Sequence, residues 1–260
     1  MTLDPRVRSG RRRYRRPASD WTSEVSSAYA LAGFLFAVFV GFTLLVMGPL
    51  VGIDAAFNVR TPPHGWVPVL HVADHIGQRA VCLPILGVVL FWIWRKTGRL
   101  RPVIVAGAAI FVLNAVVAVL KIGLGRGEPH TMNPNFFVGG MAYPSGHTAN
   151  IVLVYGLVPY LLATYTQVQP RVIKLYGGLV VLLSIWMVTV SVTLTWHWFA
   201  DLLAGLLIGG MVLALTSAAD HAIPRDVFAE GIGRGLRRMP ALVLGRSDLT
   251  VRVRSRSLGP

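Results

Sequence analysis

Residues 102–120 read PVIVAGAAIFVLNAVVAVL, an apolar run without a charged side chain. A membrane-spanning helix needs roughly 20 such residues, because the hydrocarbon core of a bilayer is about 30 Å thick. Further blocks of this kind are Tyr29–Leu50, Ala80–Trp94, Thr148–Tyr165, Leu175–Leu194 and Trp198–Leu215. The blocks are continuously apolar, whereas the strands of a membrane β-barrel alternate. The sequence therefore predicts an all-α membrane protein, a bundle of six transmembrane helices. The block at Ala80–Trp94 is short, so we expect its helix to begin earlier, near residues 69–76.

Charge divides the chain into three regions. Residues 1–27 and 218–260 are arginine-rich tails, and residues 28–217 form the predicted membrane domain. Of the 25 lysines and arginines, 21 lie in the tails and in the connections after the second and fourth blocks. The positive-inside rule then predicts a multi-pass protein of the cell membrane with both termini in the cytoplasm. The connections that carry Lys121, His147 and His197 are expected on the extracytoplasmic face. Part of the C-terminal tail, residues 227–244, is expected to lie on the cytoplasmic surface as an amphipathic stretch.

The net charge of +14 also fits a nucleic-acid-binding protein. However, the arginines are spread through tails that contain Pro, Gly and Ser, as expected for segments that lie on anionic lipid headgroups. The chain has 54% apolar and 14% charged residues. Soluble domains average about 45–50% and about 25%. We therefore expect a lipid bilayer and a membrane lipid as partners, and no nucleic acid.

A candidate catalytic motif, Tyr143-Pro-Ser-Gly-His147, precedes the fourth block. Pro144 ends any preceding structure, and Ser145 is well placed to cap the helix that follows. The free backbone N–H groups at such a helix start, beginning with Gly146, favour an anion. His147 falls in the first turn, at the same depth. An ordinary helix cap with an interfacial histidine has the same pattern, so the motif alone leaves both interpretations open.

Two further groups are expected at the same membrane face. His197 and Asp201 are four residues apart at the start of the sixth block, a spacing that places both on one face of a helix. A carboxylate bound to one imidazole nitrogen fixes the tautomer and leaves the other nitrogen available as a nucleophile. The alternative for His197 and Asp201 is a buried pair with a structural role. The alternative for Lys121, at the end of the third block, is a lysine whose ammonium extends to the membrane interface. We expect three helices to bring these groups and the Ser145–His147 motif into one pocket.

Other polar residues near this face have less specific interpretations. The glycine-rich residues 122–130 could bring backbone N–H groups close to an anion, or form an ordinary loop. His71, Asp74 and His75 have the helical spacing of a metal site. Interfacial polar residues on a short helix beside the pocket are the preferred interpretation of these three. We predict neither a metal ion nor a cofactor.

Over roughly residues 80–215 the chain resembles the type-2 phosphatidic acid phosphatase superfamily, whose members include multi-pass lipid phosphatases. The family's second motif, Pro-Ser-Gly-His, is complete at residues 144–147. Its third motif ends in His, three residues and Asp, which His197 and Asp201 match. Its first motif begins with Lys, which Lys121 matches. The resemblance implies a six-helix frame and the hydrolysis of a lipid phosphate.

The resemblance also implies a role for each matching residue. His197 would attack phosphorus and form a phosphohistidine, oriented by Asp201. His147 would protonate the departing oxygen as a general acid. Lys121 and Ser145 would bind phosphate oxygens. No metal would be required, because side chains would supply the charge stabilisation.

Two positions depart from the family pattern. Glu128 and Ser191 occupy the places of two phosphate-binding arginines. Arginine offers a planar, bidentate fork that neither residue can copy. Removing a single preorganised donor from such a site typically costs about 2.7–4 kcal/mol of transition-state stabilisation. A carboxylate in place of one arginine also repels phosphate unless it is paired.

Three hypotheses account for these departures. Arg126 turns into the site and replaces part of the missing charge, while Glu128 pairs with Arg126, Lys121 or His130. Alternatively, the pocket accepts a different head group, and Glu128 binds its sugar hydroxyls or its cationic group. In the third hypothesis the chain is a weak or inactive relative that binds a phospholipid or a membrane partner.

The first two hypotheses predict a phosphatase for a membrane lipid phosphate or diphosphate at the extracytoplasmic face. Candidate substrates are polyprenyl (di)phosphates and lipids like phosphatidic acid or phosphatidylglycerophosphate. Transfer of the phosphate to an acceptor other than water is a further possibility.

Overall fold

The computed structural model describes residues 18–57 and 65–224, and these residues form helices and connecting segments without a strand. The predicted amphipathic stretch at residues 227–244 and the arginines of the N-terminal tail lie outside the described residues. The helices are α1 (Ala18–Met47), α2 (Val51–Phe57), α3 (Val67–Asp74), α4 (Arg79–Thr97), α5 (Arg101–Leu124), α6 (Gly146–Asn150), α7 (Gly156–Tyr165), α8 (Pro170–Thr193) and α9 (Phe199–Ala222).

Six helical segments of the described residues are long and apolar enough to cross a membrane. They lie in α1, α4, α5, the continuous segment from α6 to α7, α8 and α9. Their outward faces carry apolar side chains such as Phe111 and Leu175, which are 74% and 75% exposed. Such faces are stable against lipid and not against water. The predicted six-helix membrane bundle is thereby confirmed.

The expected early start of the second spanning helix is wrong. Residues 69–76 instead form part of α3 and of a 3₁₀ turn, His75–Gly77. Gln78 is extended, with ψ of 143°, and this breaks the helix before Arg79. The 19 residues of α4 rise about 1.5 Å each, which is enough to span most of the hydrocarbon core without an extension. The short helix α3 is therefore free to lie beside the bundle.

Helix ends follow from local sequence. Gly98 and Gly125 adopt the left-handed conformation, with φ of 67° and 50°, and end α4 and α5. Proline lies at the start of α5 and of α8. A π-helical turn, Ile151–Tyr155, joins α6 to α7. Pro159 lies four residues after Tyr155, so the carbonyl of Tyr155 has no α-helical N–H partner where this turn ends.

The segment from α6 to α7 and helix α9 form the interior of the bundle, and α1 packs along α9. Glycines permit the close contact between α6 and α9. A Cβ atom on Gly205 would lie 2.2 Å from Oγ1 of Thr148, and one on Gly209 would lie 2.7 Å from the carbonyl oxygen of Ala149. Thr148 also donates a 2.9 Å hydrogen bond to the carbonyl of Leu202. The start of α6 is thus fixed against the start of α9.

A buried polar cluster ties the other end of the bundle together. Nε of Arg101, at the start of α5, donates a 2.7 Å hydrogen bond to Oδ1 of Asp220, near the end of α9. The hydroxyl groups of Tyr160 and Tyr165 each donate a 2.7 Å hydrogen bond to the same carboxylate. Three helices are therefore joined at the end opposite to Lys121 and Asp201.

Candidate active site

The His197–Asp201 pair lies at the start of α9, but not on one face of a helix as expected. His197 precedes α9, in a turn that begins with Thr195 at φ of 55°. This turn folds the imidazole back over the first turn of the helix, so Nδ1 of His197 lies 3.5 Å from Oδ2 of Asp201. The same oxygen accepts a 2.9 Å hydrogen bond from the backbone N–H of Trp198. The contact leaves Nε2 of His197 as the nitrogen available for chemistry.

The Ser145–His147 motif opens α6, as predicted. Ser145 has the extended backbone of an N-cap residue, with ψ of 122°, but its hydroxyl makes no capping hydrogen bond. This hydroxyl is buried and has no hydrogen-bond partner among the described residues. The backbone N–H of Ser145 donates a 2.9 Å hydrogen bond to the carbonyl of Asp201, which fixes the motif against α9. A buried hydroxyl without a partner is suited to bind an oxygen atom of a ligand.

The two imidazoles face each other across a gap. The ring centroids of His147 and His197 are 6.3 Å apart, and the rings are inclined by 62°. A nucleophile acts from within about 3–3.5 Å of the atom that it attacks, and a general acid acts from within about 2.6–3.2 Å of the atom that it protonates. The two rings are close enough to each other to contact the same bound group.

Lys121 and Glu128 both bind the backbone of Met141. The ammonium of Lys121 donates a hydrogen bond to the carbonyl of Met141. The carboxylate of Glu128 accepts a 2.8 Å hydrogen bond from the N–H of Met141. The expected ion pairs of Glu128 with Arg126, Lys121 or His130 are absent from the described residues, because its carboxylate binds a backbone N–H instead. Glu128 thus fixes the segment that leads into Tyr143.

Arg126 lies behind the site rather than in it. Its guanidinium is fully buried, and each of its three nitrogens binds a protein oxygen. Nη1 binds Oδ1 of Asp201 at 2.6 Å, Nη2 binds Oδ2 of Asp54 at 2.5 Å, and Nε binds the carbonyl of Pro134 at 3.0 Å. Aromatic rings surround it, the nearest being Phe136 at 4.9 Å from its Cζ. With its donors used in this way, Arg126 does not replace a phosphate-binding arginine directly, in contrast to the expectation.

Asp54 and Asp201 share the guanidinium of Arg126. Burial raises the pKa of Asp54, while the hydrogen bond and the charge of Arg126 act in the opposite direction. Burial also raises the pKa of Tyr143 to about 12, so its phenol stays neutral above the guanidinium. Oδ1 of Asp54 accepts a 2.9 Å hydrogen bond from the N–H of Ala200, which joins α2 to the start of α9.

The glycines of residues 122–130 serve loop packing. A Cβ atom on Gly127 would lie 2.2 Å from the carbonyl oxygen of Asn133, and Gly140 approaches the carbonyl of Arg126 equally closely. The N–H of Gly127 donates to the carbonyl of Asn135 at 3.0 Å. These contacts fold the loop back on itself and so support the ordinary-loop interpretation.

Ser191 is buried in α8 and donates a 3.4 Å hydrogen bond to Sδ of Met187. The methyl group of Met187 packs where the Cβ of Gly77 would lie, close to the Cβ of His147. Ser191 is thus linked to the site through the thioether of Met187, with no cation of its own to offer.

Three charged residues of the site were not identified from the sequence as site residues. Asp54 holds Arg126, and the buried Asp74 has Oδ2 3.4 Å from Nε2 of His147. Arg79, at the start of α4, is exposed and lies within electrostatic range of both Lys121 and His147. A usable signal was that the chain has only 11 acidic residues, and two of them fall between the first two apolar blocks.

His71, Asp74 and His75 do not converge on a common point. Nδ1 of His75 contacts the carbonyl of His71 at 2.6 Å, whereas Asp74 is buried and turned toward His147. No group of three or more His, Cys, Asp or Glu residues suited to a metal ion occurs in residues 18–57 and 65–224. The interpretation as polar groups on a short helix beside the pocket agrees with the exposure of His75 and the partial exposure of His71, whereas Asp74 is buried.

Comparison with known proteins supports the resemblance seen in the sequence. Residues 102–224 match the model of the PAP2 superfamily. The structure is similar to the crystal structure of the first transmembrane PAP2-type phosphatidylglycerolphosphate phosphatase from Bacillus subtilis, with a TM-score of 0.58 and 19% sequence identity. The similarity covers 75% of this chain and 98% of that chain, and it establishes a shared fold. No curated protein matches the sequence. The match confirms the resemblance to this superfamily.

Proposed function

We propose, from the assignment of residues 102–224 to the PAP2 superfamily, that the protein is a membrane phosphatase acting on a lipid phosphate or diphosphate. The observation that carries this proposal is the pair of opposed imidazoles. His147 and His197 have ring centroids 6.3 Å apart, and each has a buried carboxylate within 3.5 Å. One ring suits a nucleophile and the other an acid, and both rings can contact the same phosphate group.

In the first step, Nε2 of His197 attacks phosphorus. The N–P bond forms as the bond between phosphorus and the lipid oxygen breaks, and His147 gives its proton to that oxygen. The products are a phosphohistidine and a lipid alcohol, or a lipid monophosphate if the substrate is a diphosphate. Asp201 stabilises the positive charge that develops on the ring of His197. Ser145 donates its hydroxyl hydrogen to a phosphate oxygen.

In the second step, His147 is neutral and acts as the general base. It removes a proton from a water molecule, whose oxygen attacks phosphorus. The N–P bond breaks, and inorganic phosphate leaves with the imidazole of His197 restored. The proton that His147 gains in this step is the one that it needs for the next turnover, so the cycle closes without a metal ion.

Lys121 and Arg79 supply the positive charge that Glu128 and Ser191 lack. Arg126 is ion-paired within the protein, whereas Arg79 is exposed and has no hydrogen-bond or ion-pair partner in the described part of the chain. The charge of Arg79 reaches Lys121 and His147. A phosphate between the rings would therefore meet two cations, one from α4 and one from α5.

A lipid substrate fits a site at the ends of membrane-spanning helices. Acyl or prenyl chains can remain in the bilayer while the phosphate enters between α4, α5, α6 and α9. The distribution of arginine favours a location of this end of the bundle on the extracytoplasmic side of the cell membrane, with both termini in the cytoplasm. Polyprenyl (di)phosphates and lipids like phosphatidic acid or phosphatidylglycerophosphate are the substrate classes to test.

The test is phosphate release by the purified full-length protein in detergent micelles that contain each candidate lipid. His197→Ala is the control, and ³²P-labelled substrate should give an acid-labile phosphorylated protein in the wild type alone. Equal background release from the two proteins with every lipid would reject the phosphatase. Transfer of the label to an acceptor other than water would show a phosphotransferase.

A non-catalytic lipid-binding protein is the second candidate. The observations that favour it are Glu128 and Ser191 in place of arginines and the complete engagement of Arg126 by protein groups. This candidate predicts saturable binding of a lipid phosphate to both the wild type and His197→Ala, without release of phosphate by either protein.

A further inference from the structure

We infer that Asp74 is a positioning residue for His147, so that each imidazole of the site has its own carboxylate. The inference rests on the proposed function and adds a residue to it. Oδ2 of Asp74 lies 3.4 Å from Nε2 of His147, while Asp201 contacts Nδ1 of His197. The two pairs are thus built on opposite ring nitrogens.

A basic partner would stabilise the buried side chain of Asp74. Its side chain is 0% exposed, and Oδ1 has no hydrogen-bond partner among the described residues. A weak 3.4 Å hydrogen bond from Gln78 reaches Oδ2. A carboxylate excluded from water is strongly destabilising unless it is paired. Within the described ranges, His147 is the basic side chain that lies within 4 Å of it.

The position of Asp74 in α3 points the same way. Asp74 is the last residue of this helix, where the helix dipole disfavours a negative charge. The helix dipole therefore gives no reason to bury a carboxylate at this position. A protonated imidazole of His147 does give a reason, because its charge attracts the carboxylate. The carboxylate stabilises this charge in return.

The segment that carries Asp74 is held against the helix that carries His147. The amide of Asn150 donates a 3.3 Å hydrogen bond to the carbonyl of Gly77, and the hydroxyl of Tyr155 donates a 3.0 Å hydrogen bond to the carbonyl of Ile76. A Cβ atom on Gly77 would lie 3.2 Å from Cβ of His147. The contact between Asp74 and His147 is therefore fixed by backbone on both sides.

This arrangement defines the proton path in the first step. Asp74 holds a proton on Nε2 of His147, and the proton given to the leaving oxygen comes from Nδ1. The imidazole is then neutral, with its remaining proton on the side of Asp74, and Nδ1 is free to accept a proton from water in the second step.

Charged and titratable groups that face His147 are Asp74 from α3, Arg79 from α4, Lys121 from α5 and His197 from the turn before α9.

The test compares leaving groups. In the full-length protein, Asp74→Asn should slow the hydrolysis of an alkyl lipid phosphate by about 100-fold, because an alkoxide needs the proton of a general acid. p-Nitrophenyl phosphate, whose phenolate leaves without a proton, should lose less than about threefold. In a His147→Gln background, Asp74→Asn should cause no further loss. A purely structural role would reduce both substrates equally and would add to the effect of His147→Gln.

Asp220→Asn is the matched control, because Asp220 is also a buried carboxylate but lies at the other end of the bundle. It should change both substrates by the same factor. If Asp74→Asn does not give a folded protein by gel filtration, Asp74→Ser is assessed by the same comparison. If Asp74→Asn reduces the hydrolysis of both substrates equally, or of neither, the inference about Asp74 is overturned. An active wild type would still support the proposed phosphatase. An inactive wild type would instead count against the proposed function.

Discussion

Nη1 of Arg126 lies 2.6 Å from Oδ1 of Asp201, and both side chains are fully excluded from solvent. Nη2 of the same guanidinium lies 2.5 Å from Asp54. One arginine of the loop after α5 therefore fixes the acid that orients the proposed nucleophile, and it does so from the side opposite to His197. Such a planar, bidentate arrangement is specific to arginine.

Replacement of Arg126 by methionine should destabilise the protein strongly. The change leaves two buried carboxylates without their cation, which typically costs about 3–5 kcal/mol. Arg126→Lys should also lose most activity, because an ammonium cannot hold both carboxylates in the same plane. Thermal unfolding in detergent and phosphate release measure the two effects.

The double variant Arg126→Met/Asp54→Asn provides the control for that experiment. It removes one of the two orphaned charges and should recover part of the lost stability, but not the activity, since Asp201 remains unsupported. An Arg126→Met protein that melts at the wild-type temperature would contradict the role assigned to this ion pair.

A methyl group on Gly205 should disturb the site from α9. The new Cβ would lie 2.2 Å from Oγ1 of Thr148 and 2.4 Å from the carbonyl oxygen of Ser145. Overpacking of this kind typically costs about 1–3 kcal/mol, and relief would move the motif that carries Ser145 and His147. We expect Gly205→Ala to lower kcat more than it raises KM. Gly107→Ala in α5 is the control, because a Cβ there meets nothing within 4 Å; comparable losses in both variants would refute the packing argument.

Removal of either proposed phosphate-binding cation should weaken catalysis. Arg79→Met and Lys121→Met each remove a charged hydrogen-bond donor, which is typically worth about 1.5–3 kcal/mol, or about 10- to 100-fold in kcat/KM. Arg95→Met changes an arginine near the other end of α4 and should leave kcat/KM unaffected. Steady-state kinetics at two salt concentrations are the measurement. Unchanged kinetics for Arg79→Met would mean that the missing charge comes from elsewhere.

Substitutions of Glu128 can separate the effect of its hydrogen bond with Met141 from the effect of its negative charge. Glu128→Gln keeps an oxygen that can accept the hydrogen bond from Met141 and removes the negative charge near the phosphate. A unit charge at a few ångströms from another in water is worth about 1 kcal/mol, so kcat/KM for a simple lipid phosphate should rise about fivefold. Glu128→Ala, which also frees the N–H of Met141, should reduce activity. A collapse of activity with Glu128→Gln would support the hypothesis that Glu128 reads the head group of the substrate.

Glu128→Arg places the family's residue at this position. If the two other cations suffice for phosphate binding, the change should not greatly harm activity on a simple lipid phosphate. Loss of activity confined to one lipid of the panel would assign Glu128 to recognition of that lipid.

Hydropathy predicted the spanning helices well, because continuous apolar runs have few alternatives in a membrane. Blocks such as Pro102–Leu120 and Trp198–Leu215 correspond to α5 and α9, with ends that differ by a few residues. It did not predict that α3 is separate from α4. That break depends on the extended conformation of Gln78, and hydropathy alone does not register the local signal that the preceding Gly77 gives.

The sequence predicted the residues that meet at the site better than it predicted their partners. His147 and His197 were expected at one membrane face from the predicted topology, and their ring centroids lie 6.3 Å apart. Asp74 was interpreted as an interfacial polar residue and Asp54 was given no role, because spacing along the chain says nothing about burial by distant helices. Arg126 was expected to face the phosphate, but it binds two carboxylates instead. These carboxylates lie 72 and 75 positions away in the sequence, so local spacing could not reveal them.

The π-helical turn at residues 151–155 separates two tasks within one membrane segment. A wide turn accommodates one residue more than a regular α-helix would over the same rise. Deleting a residue there would leave the hydrophobic length almost unchanged but would rotate His147 by about 100° relative to α7. The insertion of this segment into the membrane and the orientation of the His147 imidazole can therefore change independently in evolution. The deletion of one residue could abolish the activity of a relative while its membrane insertion stays normal.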